Sequence, residues 1–256
     1  NFGGTLDALL PGGSNIAFAK ADQGIYTVTA TWGKTTGMKF SMTKTGEAQV
    51  AEYPESLFLI GDGIGGWEWT GDYVKELIPV HSHPHAFWTI AYINAGGVKF
   101  SPVKEWKGDF GVTGTATNGI YGKGGDNIAI TEAGYYLLYV DLKAEKISVT
   151  APEVYLIGGT AGDKWDYAMA EAKFTVDNAA KTITSPAFTA AAELRMYATC
   201  ALSQEDTPKA DWWQMEFLVL DGKIEYRAKG DDQARVSVTA GQKAVLNFES
   251  GTGEIK

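Results

Sequence analysis

The apolar residues of this chain gather in strand-sized runs, and helical periodicity is weak throughout. Phe87 to Ile93, Val98 to Val103, Asn127 to Thr131, Tyr135 to Asp141 and Lys146 to Thr150 are rich in β-branched and aromatic residues. Each is bounded by Gly, Pro or Asn, so each predicts a strand. Within Val98–Val103, Val98, Phe100 and Pro102 alternate with Lys99 and Ser101. Lys99 is therefore expected to point away from the side that takes Phe100. The alanine-rich stretches Ala168 to Phe174 and Ala187 to Arg195 are too short and uncapped for more than a turn of helix.

The pattern repeats. Leu57-Phe58-Leu59-Ile60-Gly61 returns as Val154-Tyr155-Leu156-Ile157-Gly158, and a tryptophan follows in both, Trp67 and Trp165. Gly97-Val98-Lys99-Phe100-Ser101 returns as Glu193-Leu194-Arg195-Met196-Tyr197. Trp106 follows the first, and the pair Trp212-Trp213 the second. Pro54 and Pro152 stand before the opening strands, where proline is tolerated. The N-terminal segment matches only the closing half of a repeat. Gly12 to Phe18 parallels Gly124 to Ile130, and Gly24 to Val28 parallels Gly134 to Leu138. The expected organisation is therefore an incomplete upstream β domain over 1–47 and two repeats over 53–151 and 153–256. The segment 1–47 predicts further chain upstream. The expected fold is all-β, a tandem of immunoglobulin-like β-sandwiches of about seven or eight strands each.

Composition narrows the function. Of 256 residues, 22 are basic and 31 acidic, for a net charge of −9. The basic residues are scattered, which argues against nucleic acid as a partner. No apolar run approaches the length of a membrane-spanning helix, and residues 1–5 are not a signal peptide. Cys200 is the single cysteine, so no internal disulfide forms; it reads as a small core residue.

Eight tryptophans are the useful excess. The C–H face of a pyranose stacks on an indole, and the ring-edge hydroxyls need polar partners. Trp67, Trp69 and Trp106 lie in Gly-rich or charged stretches, as do Trp165 and Trp212-Trp213, whereas Trp88 sits in an apolar run and reads as core. Of Trp67 and Trp69, Trp67 is expected to be exposed and the other to pack inward. If Trp212 and Trp213 lie on a strand, at most one faces a ligand. Lys99 and Arg195 recur at one repeat position beside a presented tryptophan.

The order of these motifs resembles the starch-binding domains of the SusE and SusF outer-membrane lipoproteins of gut Bacteroidetes. The resemblance rests on Leu57 to Gly61, Gly66-Trp67, Val98-Lys99-Phe100, and Trp106 followed by Asp109-Phe110-Gly111. It implies one glycan site per sandwich, with two aromatics matching the curve of an α-glucan and a Lys or Arg bonding the sugars. Carried over residue by residue, this implies Trp67, Trp106 and Lys99 or Lys104 in the first repeat. In the second it implies Trp165, Trp212 or Trp213, and Arg195. The second repeat lacks the Gly-Trp and has Gln214-Met215-Glu216-Phe217 in place of Asp-Phe-Gly. The resemblance also implies a cell-surface place on the outer membrane, a lipid anchor absent from this chain, and a glycan-uptake complex as partner.

Other chemistries are weaker. All three histidines lie in His81-Ser82-His83-Pro84-His85. On an extended strand they would share a face, but Pro84 interrupts it and the second repeat has no counterpart. The segment reads as an exposed loop, able to rim a sugar site, and no metal is assigned. Glu68, Asp72, Glu105 and Asp109 are acidic residues near tryptophan, but no signature selects a hydrolytic pair. The reading is a non-catalytic binder of a poly- or oligosaccharide that needs no cofactor, most simply an α-glucan. A different glycan, a spacer role or an accessory module of a glycoside hydrolase stays open.

Overall fold

The computed structural model describes residues 2–5, 8–12, 14, 24–34, 37–47 and 52–256. The chain divides into two compact units, Asn1–Glu52 and Tyr53–Lys256. In the first, the strands Phe2–Thr5, Ala8–Pro11, Gly37–Gly46 and Ile25–Gly33 form one antiparallel sheet in that spatial order. Its main feature is the hairpin Ile25–Gly33/Gly37–Gly46. The expected match of Asn15 to Phe18 with the first repeat lies outside the described residues.

The second unit holds both repeats. In the first repeat a six-stranded sheet runs Gly111–Thr117, Ile120–Gly124, Lys146–Thr150, Gly134–Asp141, Ala86–Ile93, Ile78–Pro79. It faces a four-stranded sheet of Ile128–Ile130, Gly96–Ser101, Phe58–Ile60 and Lys75–Glu76. Pro79, which cannot donate to a ladder, sits on the edge strand. Leu57, Leu59, Phe87, Ile93, Val98, Phe100, Leu138 and Val140 fill the space between the sheets. The strands are shorter and more numerous than expected.

The second repeat is built from an eight-stranded sheet, from Glu153–Leu156 at one edge to Thr175–Asp177 at the other, and a two-stranded ribbon of Ala192–Glu193 and Ser237–Val238. Val154, Leu156 and Met196 near one edge share a core with Ile183, Ala244 and Leu246 near the other, so the sheet curls over itself.

That core also takes in the first repeat. Along Ala86–Ile93, the odd positions Phe87, Ala91 and Ile93 pack inside the first sandwich, and the even positions Ala86, Trp88 and Ile90 pack with the second repeat. Strand Gly134–Asp141 divides likewise, Leu138 and Val140 against Tyr135, Leu137 and Tyr139. A sheet buried on both faces needs nearly unbroken apolar strands, which is why these two runs lack polar alternation. Trp88 is fully buried, with its ring 6.2 Å from Phe217 and 5.6 Å from Tyr226. It is a core residue, of the seam between the repeats.

Candidate functional site

Register places the basic residues first. Ile60 pairs with Lys99 and Leu59 with Phe100, so Lys99 stands on the face opposite the sandwich core. In the second repeat the Ile157 N–H donates to the Arg195 carbonyl, and Leu156 pairs with Met196. Lys99 and Arg195 therefore hold the same place on the same outer face.

The tryptophans converge there. Gly61 and Gly66 exchange two backbone bonds of 2.9 and 3.0 Å and close the turn that carries Trp67. Gly65 has φ 135°, and a Cβ on it would lie 2.6 Å from the Tyr73 ring, so glycine is required. The loop carrying Trp106 is pinned at its base. Phe100 and Phe110 exchange backbone bonds of 2.8 Å, and the buried Ser101 hydroxyl donates to the Glu105 carbonyl at 3.0 Å. Trp106 stays 52% exposed, with its ring 6.0 Å from Trp67 and 5.1 Å from Trp69.

The expectation for the Trp67–Trp69 pair needs correcting. Both are half-buried, and Trp69 meets Trp106 edge-on instead of entering the core. The residues between them lie in irregular chain, so strand alternation does not separate the two rings. Lys99 Nζ is 3.0 Å from Asp109 Oδ2, while exposed Lys104 lies over the Phe58 ring at 5.2 Å.

The second repeat repeats the geometry with more charge. A Gly158–Lys164 bridge closes the turn before Trp165, which is 57% exposed and 5.8 Å from Trp212. Trp212–Met215 is a 3-10 turn capped by Asp211, not a strand. Strand alternation therefore does not apply, and Trp212 and Trp213 both border one open cleft of 520 Å³. Arg195 bonds Glu216 at 2.6 Å and Asp232 at 2.8 Å, with its guanidinium 5.9 Å from Trp212. Burial works against the Arg195 charge, but the bonds to Asp232 and Glu216 outweigh it and hold the group above its ordinary range. Arg227 reaches Glu216 at 3.1 Å and lies 4.8 Å from the Trp213 ring; Arg235 joins Asp232 to Glu193. Arg227 and Asp232 lie outside the motifs that repeat, and Arg235 opens the closing strand where the first repeat has Asn127, so no shared sequence signal marks the three as a cluster.

The remaining candidates resolve as follows. Asp109 is the partner of Lys99, Glu68 and Glu105 are exposed, and Asp72 lines a separate hollow with Tyr73 and Lys75. Cys200 is buried, and burial pushes its thiol up to about 11, as suits an inert core residue. The expectation that the histidine segment is an exposed loop is overturned. His83 is 2% and His85 8% exposed, because this turn packs on Asp206 and Gln214 of the second repeat. Only His81 reaches a candidate sugar site, 4.8 Å from Trp213, and it is the second repeat's.

Known proteins share this architecture. The crystal structure of SusF from Bacteroides thetaiotaomicron superposes with a TM-score of 0.69 at 31% identity, covering 90% of this chain and 52% of that one. Outer membrane protein SusF of Bacteroides thetaiotaomicron is 35% identical over 216 residues, 79% of this chain and 44% of the relative. The chain thus spans about half the length of the relatives it matches. The family profile described as SusF/SusE starch specific CBMs, carbohydrate-binding modules without catalytic function, matches residues 56–148 and 153–254. Each matched segment contains one of the two tryptophan platforms, and on both sequence and fold the chain belongs to the SusF/SusE family of starch-specific carbohydrate-binding modules.

Proposed function

We propose that each repeat holds a stretch of α-glucan on its tryptophan platform. In the first, Trp67 and Trp106 stack the sugar rings, Trp69 supports Trp106, and Lys99 and Lys104 bond the hydroxyls. In the second, Trp165 and Trp212 stack, Trp213 extends the floor of the cleft, and Arg195 supplies the donors. One observation carries this reading. Two tryptophan pairs, with ring centroids 6.0 and 5.8 Å apart, stand beside a basic residue at the same strand register in both repeats. Tilted neighbouring rings present a bent apolar surface, which suits a curved polymer better than a flat one. The basic residues are held by Asp109, or by Glu216 and Asp232, so their donors are pre-positioned.

The matched relative is named an outer membrane protein. We place this chain at the same surface as part of a longer, lipid-anchored protein serving a glycan-uptake complex. Affinity electrophoresis through amylopectin gels tests the binding. The parent is expected to be retarded and a folded Trp106→Ala/Trp165→Ala variant to run as in a gel without polysaccharide. An unretarded parent would refute the α-glucan reading.

A further inference from the structure

The His83–Asp206 contact joins the two repeats, and its hydrogen bonding lacks a cation. Gln214 has a fixed orientation: its Oε1 accepts the Asp211 N–H at 2.7 Å, and its Nε2 donates to the His81 carbonyl at 2.9 Å. The atom facing His83 Nε2 at 3.3 Å is therefore the Gln214 oxygen, and His83 keeps its proton on Nε2. In that tautomer the Nδ1 lone pair points at Asp206 Oδ2, 2.7 Å away. The same oxygen lies 2.5 Å from His85 Nε2. A nitrogen lone pair and a carboxylate oxygen share such a contact only with a positive centre between them.

We propose that this centre is a divalent transition metal of the zinc class, bound by His83 Nδ1, His85 Nε2 and Asp206 Oδ2. These ligand atoms all lie within 4.8 Å of one another. Two imidazoles and one carboxylate are a donor set zinc takes, at bond lengths of about 2.0–2.2 Å. Tetrahedral bonds of that length set ligand atoms about 3.3–3.6 Å apart, so Asp206 Oδ2 retreats from the two nitrogens by about 0.6–1.1 Å to admit the ion.

The outer contacts are those of a metal site. The Gln214 carbonyl orients His83 from behind, and Asp206 Oδ1 is held by the Thr207 N–H at 2.6 Å and by Lys143 at 3.2 Å. The Asp206 side chain is 3% exposed, but the residue borders a surface hollow of 270 Å³ with Asp141, Lys143 and Thr207. Neither histidine lines that hollow, so an ion would enter past Asp206. His83 and His85 belong to the first repeat and Asp206 to the second, so the ion clips the repeats together.

The test is metal uptake by the chelator-stripped chain. The parent is expected to bind one equivalent of Zn²⁺ by calorimetry, to melt at a higher temperature when loaded, and to show the intense visible bands of tetrahedral cobalt with Co²⁺. His81→Gln, which leaves all three ligands in place, is expected to bind as the parent does. His85→Gln and Asp206→Asn are expected to bind at least tenfold more weakly. No uptake by the parent would overturn the proposal and leave a proton as the positive centre. Loss of uptake in His81→Gln with retention in His85→Gln would also overturn it. The parent's cobalt spectrum decides the matter even if the buried variants do not fold.

Discussion

Replacing Trp106 with alanine isolates the stacking contribution of one ring. The side chain is 52% exposed, and an indole has about 250 Å² to bury, which leaves roughly 130 Å² facing solvent. A pyranose covers one face of it, roughly 65 Å². At about 25 cal/mol per Å² that contact contributes about 1.6 kcal/mol, a factor of about 15 in Kd. The cost to folding is small, because Trp106 enters no core cluster and loses only its contacts to Trp67 and Trp69. Calorimetric titration with maltoheptaose, on a variant with the second platform removed, reads the first site alone. Trp106→Ala is expected to weaken it about fifteenfold with native circular dichroism. A change below about twofold in a folded variant would refute the reasoning, because the exposed face would then not be the one that sugar covers.

Three further outcomes follow from burial and charge. Arg195→Ala leaves the fully buried Glu216 carboxylate with Arg227 alone, so it is expected to cost toward the lower end of about 3–5 kcal/mol in denaturant titration, and Arg195→Lys is not expected to restore it. Lys75 donates to the Phe248 carbonyl at 3.1 Å, and burial depresses its pKa. The unfolded chain then binds more protons above the folded pKa, so this group's contribution to stability grows as pH rises toward about 10 and levels off there; the difference in melting temperature between the parent and Lys75→Met, followed as pH is raised from neutrality to about 10, should move in the parent's favour, and a constant difference would refute it. Trp88→Ala opens the seam between the repeats and is expected to cost about 3–5 kcal/mol, splitting one calorimetric transition into two.

Much of this was legible in the sequence where chemistry is local. The runs around Phe87 and Tyr135 are strands because little else suits consecutive aromatic and β-branched residues, and the repeat register carried Lys99 onto Arg195. The hairpin Gly111–Thr117/Ile120–Gly124 was not legible, since its glycines and threonines pack little and carry no apolar signal. Trp212-Trp213 misled, because a capped turn and a strand start look alike in five residues. The histidines misled most. Their burial depends on Asp206, 123 positions after His83, and nothing in a five-residue segment announces a partner at that distance.

If each platform binds a glucan weakly, as proposed, the shared seam changes what the two can do together. Had the repeats been beads on a linker, the second binding event would draw on an effective concentration set by a mobile tether. Here Trp88, Tyr135 and Tyr139 pack into the second repeat's core, so the two platforms keep one geometry within the unit. A polymer whose curvature lets it meet both platforms gains the full linkage, and a short oligosaccharide gains none. Removing one platform should therefore weaken polymer binding by more than it weakens oligosaccharide binding. Loosening the seam should lower polymer affinity while leaving each site's oligosaccharide affinity unchanged. The apolar face of the central sheet, which contacts no sugar in this reading, thus acts on function by fixing where the tryptophans stand.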